Sequence, residues 1–109
     1  MSSLSTHVLD TGRALPAAGI AVSVTALAGP DAPPPHTLIT DENGRIGAVL
    51  TDAAPGTYRL SYDLDLLYSP DGRSLYPRIE IEVRLEPDCH HHVVLTLAPG
   101  GYFVACVPG

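Results

Sequence analysis

Arg78-Ile79-Glu80-Ile81-Glu82-Val83-Arg84-Leu85 alternates charged and apolar side chains through four cycles. Successive side chains of a strand point to opposite faces, so this stretch reads as a half-buried strand with one wet face. Its neighbours follow the same grammar. Strands are expected at Leu4–Asp10, Ile20–Leu27, Thr37–Thr40, Ile46–Leu50, Gly56–Tyr62, Arg78–Leu85, His91–Leu97 and Gly101–Val107. Breakers separate them: Gly12 to Pro16, Gly29 to Pro35, Asn43-Gly44, Ala54-Pro55-Gly56, Ser69 to Gly72, Glu86-Pro87-Asp88 and Pro99-Gly100-Gly101. Eleven prolines and ten glycines leave no room for long helices. Residues 63–68 are expected to form one short helix or an extended turn. The whole reads as an all-β, eight-stranded antiparallel β-sandwich with at most one short helix. Val93–Leu97 is apolar apart from Thr96, so that strand is expected to be covered on both faces, by the second sheet and by another subunit.

The totals agree. A chain of 109 residues suits one domain, 1–109, around one core. Hydrophobic residues at 45% and charged residues at 17% are too apolar for disorder, and the apolar runs are too short for a membrane helix. The net charge is -6, and all six basic residues are arginines, with no clustered basic face for nucleic acid. Met1-Ser2-Ser3 opens no signal segment, so a soluble cytoplasmic protein is expected. In that compartment Cys89 and Cys106 are expected to be free thiols.

Three segments carry chemistry. In Leu4-Ser5-Thr6-His7-Val8-Leu9-Asp10, His7 shares a strand face with Ser5 and Leu9. In His90-His91-His92-Val93-Val94-Leu95-Thr96-Leu97, His92 shares a face with His90, Val94 and Thr96, while His91 points the other way. A strand therefore offers at most two of the three imidazoles to one ion, and no metal is expected. Arg45 follows the Asn43-Gly44 turn, either as a solvated turn residue or as a planar fork for an anion at a pocket mouth. No GxSxG, P-loop, GxGxxG or paired CxxC is present.

Taken in order, these segments, with Pro16-Ala17, Thr40-Asp41-Glu42-Asn43-Gly44-Arg45, Gly56-Thr57-Tyr58-Arg59-Leu60, Tyr76-Pro77-Arg78-Ile79 and Gly101-Tyr102, make the chain resemble the 5-hydroxyisourate hydrolases, the transthyretin-related enzymes of purine metabolism. The resemblance covers essentially the whole chain. It implies a transthyretin-like sandwich, a homotetramer built as a dimer of dimers, and a channel at the dimer–dimer interface. It implies hydrolytic ring opening of a small heterocyclic substrate by acid–base chemistry, with no cofactor. The catalytic residues it implies are His7, Arg45 and His92. His90 matches the first histidine of the family's HYH segment, and His91 stands where the middle tyrosine belongs. In the family's register Phe103, Ala105 and Val107 face with His92, Val94 and Thr96. The channel would then be lined by Leu9, His90, Val94, Thr96, Phe103, Ala105 and Val107.

The last strand departs from the family pattern. Where the family carries Gly-Tyr-Ser-Thr-Tyr-Arg-Gly-Ser, this chain reads Gly101-Tyr102-Phe103-Val104-Ala105-Cys106-Val107-Pro108. Each buried polar partner lost from a pocket costs about 1–3 kcal/mol of recognition. Two alternatives follow: a repurposed enzyme doing proton-transfer chemistry on a more apolar molecule, and a non-enzymatic ligand binder. In the family's register Cys106 points away from the channel.

Overall fold

The computed structural model describes residues 1–27, 34–65 and 76–108. They form nine strands: β1 (Ser2–Asp10), β2 (Leu15–Pro16), β3 (Ala21–Ala26), β4 (His36–Ile39), β5 (Arg45–Ala53), β6 (Gly56–Asp63), β7 (Arg78–Leu85), β8 (His90–Ala98) and β9 (Gly101–Pro108). All eight expected strands are present, within a few residues at each end. The ninth, β2, lies in what reads as a breaker. It pairs with β1 only at Leu9 and Asp10, and Pro16 is tolerated because this is a sheet edge. Residues 29–33 of the expected turn at 29–35, all of the expected turn at 69–72, and residues 66–68 of the expected helix or turn lie outside the described residues.

One sheet runs β4-β3-β6-β7, all antiparallel. The other runs β2-β1-β8-β9, with β5 also paired to β1. Antiparallel pairing is broken at one place. β1 and β8 run parallel, in register from Ser3 with His90 to Asp10 with Leu97. Parallel strands need a long crossover, and here nearly the whole chain serves as one.

The sandwich closes on alternating residues. In β7 the four charged residues are exposed, while Ile79 and Leu85 are buried and Ile81 and Val83 half-buried. In β8, Val93, Leu95 and Leu97 face the core, and Val94 and Thr96 lie half-buried on the outer face. From β1, Leu4 and Val8 fill the same core. Each such side chain contributes about 1.5–3 kcal/mol through burial.

A buried polar contact helps tie the sheets together. Thr6 Oγ1 donates to the Val93 carbonyl at 2.8 Å, so the Tyr62 hydroxyl must donate to Thr6 at 2.7 Å. Burial pushes the Tyr62 phenol up to about 12, keeping it a donor at any working pH. Tyr62→Phe leaves the Thr6 bond to Val93 intact and removes one buried donor. It should cost about 1 kcal/mol in urea unfolding; a neutral result would mean the contact contributes nothing to holding the sheets.

Candidate active site

The parallel pairing brings both ends of the chain to one place. Ser3, Ser5, His7 and Leu9 alternate onto the outer face of β1, and His90, His92, Val94 and Thr96 onto the outer face of β8. The His7 and His92 rings stand 6.4 Å apart between centroids, tilted by 38°. β5 pairs with the other edge of β1 and sets Arg45 directly beside His7.

A locked turn delivers Arg45. The Asp41 carboxylate accepts the amides of Asn43 and Arg45 at 2.8 and 2.9 Å, and the Gly44 amide bonds the Asp41 carbonyl. The Arg45 amide is the main reason that the Asp41 carboxyl is held below its usual range; the Asn43 amide and the charges of Arg45 and His7 add to it, against some desolvation. Gly44 has φ +75°, and its carbonyl accepts the Val8 amide at 2.7 Å. The turn is thereby pinned to β1 next to the imidazole.

The Asn43 carbonyl can only accept, so the 2.9 Å contact fixes the proton of His7 on Nε2. In the neutral ring Nδ1 is then the basic nitrogen. Burial, followed by the charges of His7, Arg45 and His90, lowers the pKa of His92 below 6.5. The neutral ring of His92 is therefore favoured over the cation. Behind it lies a row of hydroxyls and rings. Ser5 Oγ meets His92 Nδ1 at 2.7 Å and His90 Nε2 at 2.9 Å, and Ser3 Oγ meets His90 Nδ1 at 2.6 Å.

Two hollows share Arg45. One, of about 410 Å³, is lined by His7, Leu9, Pro16, Asn43 and Arg45. The other, of about 300 Å³, is lined by Ser5, Thr6, Arg45, Ile46, Gly47, His90 and His92. The structure thus gathers His7, Leu9, Arg45, His90 and His92. Val94, Thr96, Phe103, Ala105 and Val107 line neither hollow. They sit on the same outer face, in the expected register: His92 opposite Val107, Val94 opposite Ala105 and Thr96 opposite Phe103. Among the described residues, no three His, Cys, Asp or Glu side chains converge as a metal ligand set.

His91 takes the opposite face, as the alternation requires. It is buried, and its Nε2 accepts the Glu86 amide at 3.2 Å. Nδ1 of the same ring has no hydrogen-bond partner among the described residues. Cys89 and Cys106 are free, and Cys106 lies opposite Val93, on the face turned away from His92. Among the described residues no helix is long and apolar enough to cross a membrane. Sequence reasoning missed Ser3, Ser5, Asp41 and the Asn43 carbonyl. For Ser5 the signal was present, because it shares a strand face with His7.

A two-sheet sandwich with an imidazole–guanidinium site on the outer face of one sheet is a transthyretin-like architecture. The profile of the HIUase/Transthyretin family matches residues 4–104. The chain is 35% identical over 107 residues to the 5-hydroxyisourate hydrolase of Mus musculus, a match that spans 93% of this chain and 91% of the relative. Its fold superposes on the 5-hydroxyisourate hydrolase of Klebsiella pneumoniae with a TM-score of 0.79 at 30% identity, covering 96% of this chain and 92% of that one. Transthyretin from Sparus aurata shares the fold, with a TM-score of 0.86 at 23% identity, covering 98% and 97% of the two chains. The chain belongs to the HIUase/Transthyretin family.

Proposed function

We propose that this protein is a cofactor-free hydrolase that opens the ring of 5-hydroxyisourate or a close cyclic amide. The observation that carries the reading is the convergence of His7, Arg45 and His92 on two hollows that share the guanidinium. His92 is the base, because its depressed pKa leaves a lone pair available at neutral pH. It takes a proton from water as the oxygen attacks the amide carbonyl. Arg45 faces the negative charge that develops on the carbonyl oxygen. The ring carbon–nitrogen bond then breaks, and the leaving nitrogen takes up a proton. That proton comes from solvent, replacing the one that His92 removed from water, and neutral His7, held by the Asn43 carbonyl through Nε2–H, orients the delivering water by accepting from it at Nδ1.

The outer face suggests how the site is completed. Phe103 and Val107 are 66% and 56% exposed beside Val94, too much apolar surface for a finished wall. A second pair of chains packed across this face would bury them and close the hollows into a channel, as a dimer of dimers. Mass measurement in solution tests the assembly.

The direct test is the absorbance decay of freshly generated 5-hydroxyisourate. Micromolar protein should speed it well above the spontaneous rate, and no acceleration would refute the reading. Acid should switch the activity off late. Only neutral His92 is competent and burial lowers its pKa, so the acid limb of kcat/KM should be centred below the ordinary imidazole value of 6.5. A fall centred above pH 6.5 would assign the base elsewhere.

A second reading rests on the last strand. The outward positions of β9 are Phe103, Ala105 and Val107, which offer a polar heterocycle no hydrogen bond from their side chains. The same His/Arg set would then act on a more apolar cyclic substrate. Turnover of such an analogue at higher kcat/KM than hydroxyisourate distinguishes the two.

A further inference from the structure

Both ring nitrogens of His90 are occupied by hydroxyls, Ser3 on one side and Ser5 on the other. Ser5 in turn touches His92 Nδ1. The contacts run Ser3, His90, Ser5, His92 without a break, at 2.6, 2.9 and 2.7 Å. Ser5 is buried, and Ser3 is partly exposed.

The proton count in this row is restrictive. Ser5 has one proton and two imidazole nitrogens to satisfy, so every group is paired only when it donates to one ring and accepts from the other. A neutral imidazole likewise carries one proton. If His92 holds its proton on Nδ1, Ser5 accepts it and donates to His90 Nε2, and His90 holds its own proton on Nδ1, towards Ser3. If His92 holds its proton on Nε2, every bond in the row reverses and His90 also holds its proton on Nε2. Mixed tautomers would leave Ser5 either accepting from both rings, with its own buried proton unpaired, or facing two bare lone pairs with a single proton.

We propose that Ser3, His90 and Ser5 form a proton wire that locks the tautomers of His90 and His92 in step and sets which nitrogen of His92 is the base. His90 is thus a positioning residue for His92. The locking follows from the cost of leaving the buried Ser5 proton or a ring nitrogen unpaired; its catalytic use rests on the hydrolase reading above. In the Nδ1–H state, His92 Nε2 is free to take a proton from the attacking water. The Nδ1 proton of His92 passes to Ser5 and the hydroxyl proton of Ser5 to His90 Nε2. The Nδ1 proton of His90 passes to Ser3, whose hydroxyl proton leaves to solvent. His92 ends neutral with its proton on Nε2, without turning its ring and without holding a cation beside Arg45. One proton enters, one leaves, and the reverse passage resets the row.

The test is long-range 1H–15N spectroscopy of the histidine-labelled full chain at about pH 8, where ordinary imidazoles are neutral. His90 and His92 should report the same tautomer. In Ser5→Ala the two rings should become independent, with His92 moving towards the Nε2–H form that free imidazole prefers. Ser5→Thr keeps a hydroxyl and should restore the coupling. Opposite tautomers in the native protein, or coupling that survives Ser5→Ala, overturns the wire. These readouts need no substrate, so they stand apart from the hydrolase reading. With hydroxyisourate, Ser5→Ala should lower kcat about 10- to 100-fold at unchanged KM, with Ser5→Thr recovering most of it. Full activity in Ser5→Ala overturns the catalytic role of the wire. Locked tautomers in a protein that does not hydrolyse hydroxyisourate would leave the wire standing and sink the hydrolase reading instead.

Discussion

His92→Gln is expected to lower kcat/KM for hydroxyisourate by about 10²- to 10⁴-fold, the range that a positioned general base supplies. The side chain sits on the half-buried outer face of β8, so the exchange removes a basic nitrogen without hollowing the core. Glutamine can still meet Ser5, and the fold should survive, with an unchanged unfolding midpoint. Burial and the neighbouring charges hold His92 neutral, and no other imidazole of the site occupies that position. The loss should fall on kcat more than on KM, because a base acts on the water and not on the bound ring. A variant that keeps a tenth or more of native kcat/KM would remove His92 from the mechanism.

The second large effect is expected at Gly44. A Cβ there would lie 2.4 Å from the Val8 carbonyl oxygen and 3.0 Å from the Ala17 amide nitrogen, and both are backbone atoms that cannot turn aside. The residue also has φ +75°, which costs alanine about 1 kcal/mol before any clash. With the overlap, Gly44→Ala should destabilise the fold by about 3 kcal/mol, read from the urea midpoint. Because Arg45 is the next residue, its guanidinium moves with the backbone. Misplacement of about 1 Å can cost 10²-fold in rate, so activity should fall further than the folded fraction does. Destabilisation below 1 kcal/mol with full activity would show that the turn can shift freely. Native stability with lost activity would show that Arg45 depends on Gly44 for placement alone.

Much of this arrangement was legible in the residues. Alternation placed His91 opposite its neighbours, and the family's register placed Val107, Ala105 and Phe103 across from His92, Val94 and Thr96. Both are consequences of the two-residue period of a strand, which any reader of the chain can apply. The parallel pairing of β1 with β8 was not legible, because period alone carries no strand direction. β2 was hidden by Pro16, which signals a break whether or not a sheet edge lies beside it. The turn before Arg45 was evident from Asn43-Gly44, but not the grip of Asp41 on two amides, since a carboxylate in a turn is usually solvated. The Asn43 carbonyl that fixes His7 is backbone, and residue type says nothing about where it points. Ser3 and Ser5 read as ordinary strand hydroxyls until the histidines of a distant segment are laid against them.

That distance has a consequence for how the molecule comes into being. Ser5 and His92 are 87 positions apart, and the strands that carry them are hydrogen-bonded neighbours. Closing so long a loop is slow, and contacts of this range place a chain among the slower-folding topologies. During synthesis β1 emerges well before β8 and waits for it with one edge unpaired. No partial product can hold the two imidazoles together, and a chain cut anywhere before β8 lacks half of the site. Catalytic competence therefore arrives only with topological closure, so activity counts completed molecules and does not register folding intermediates.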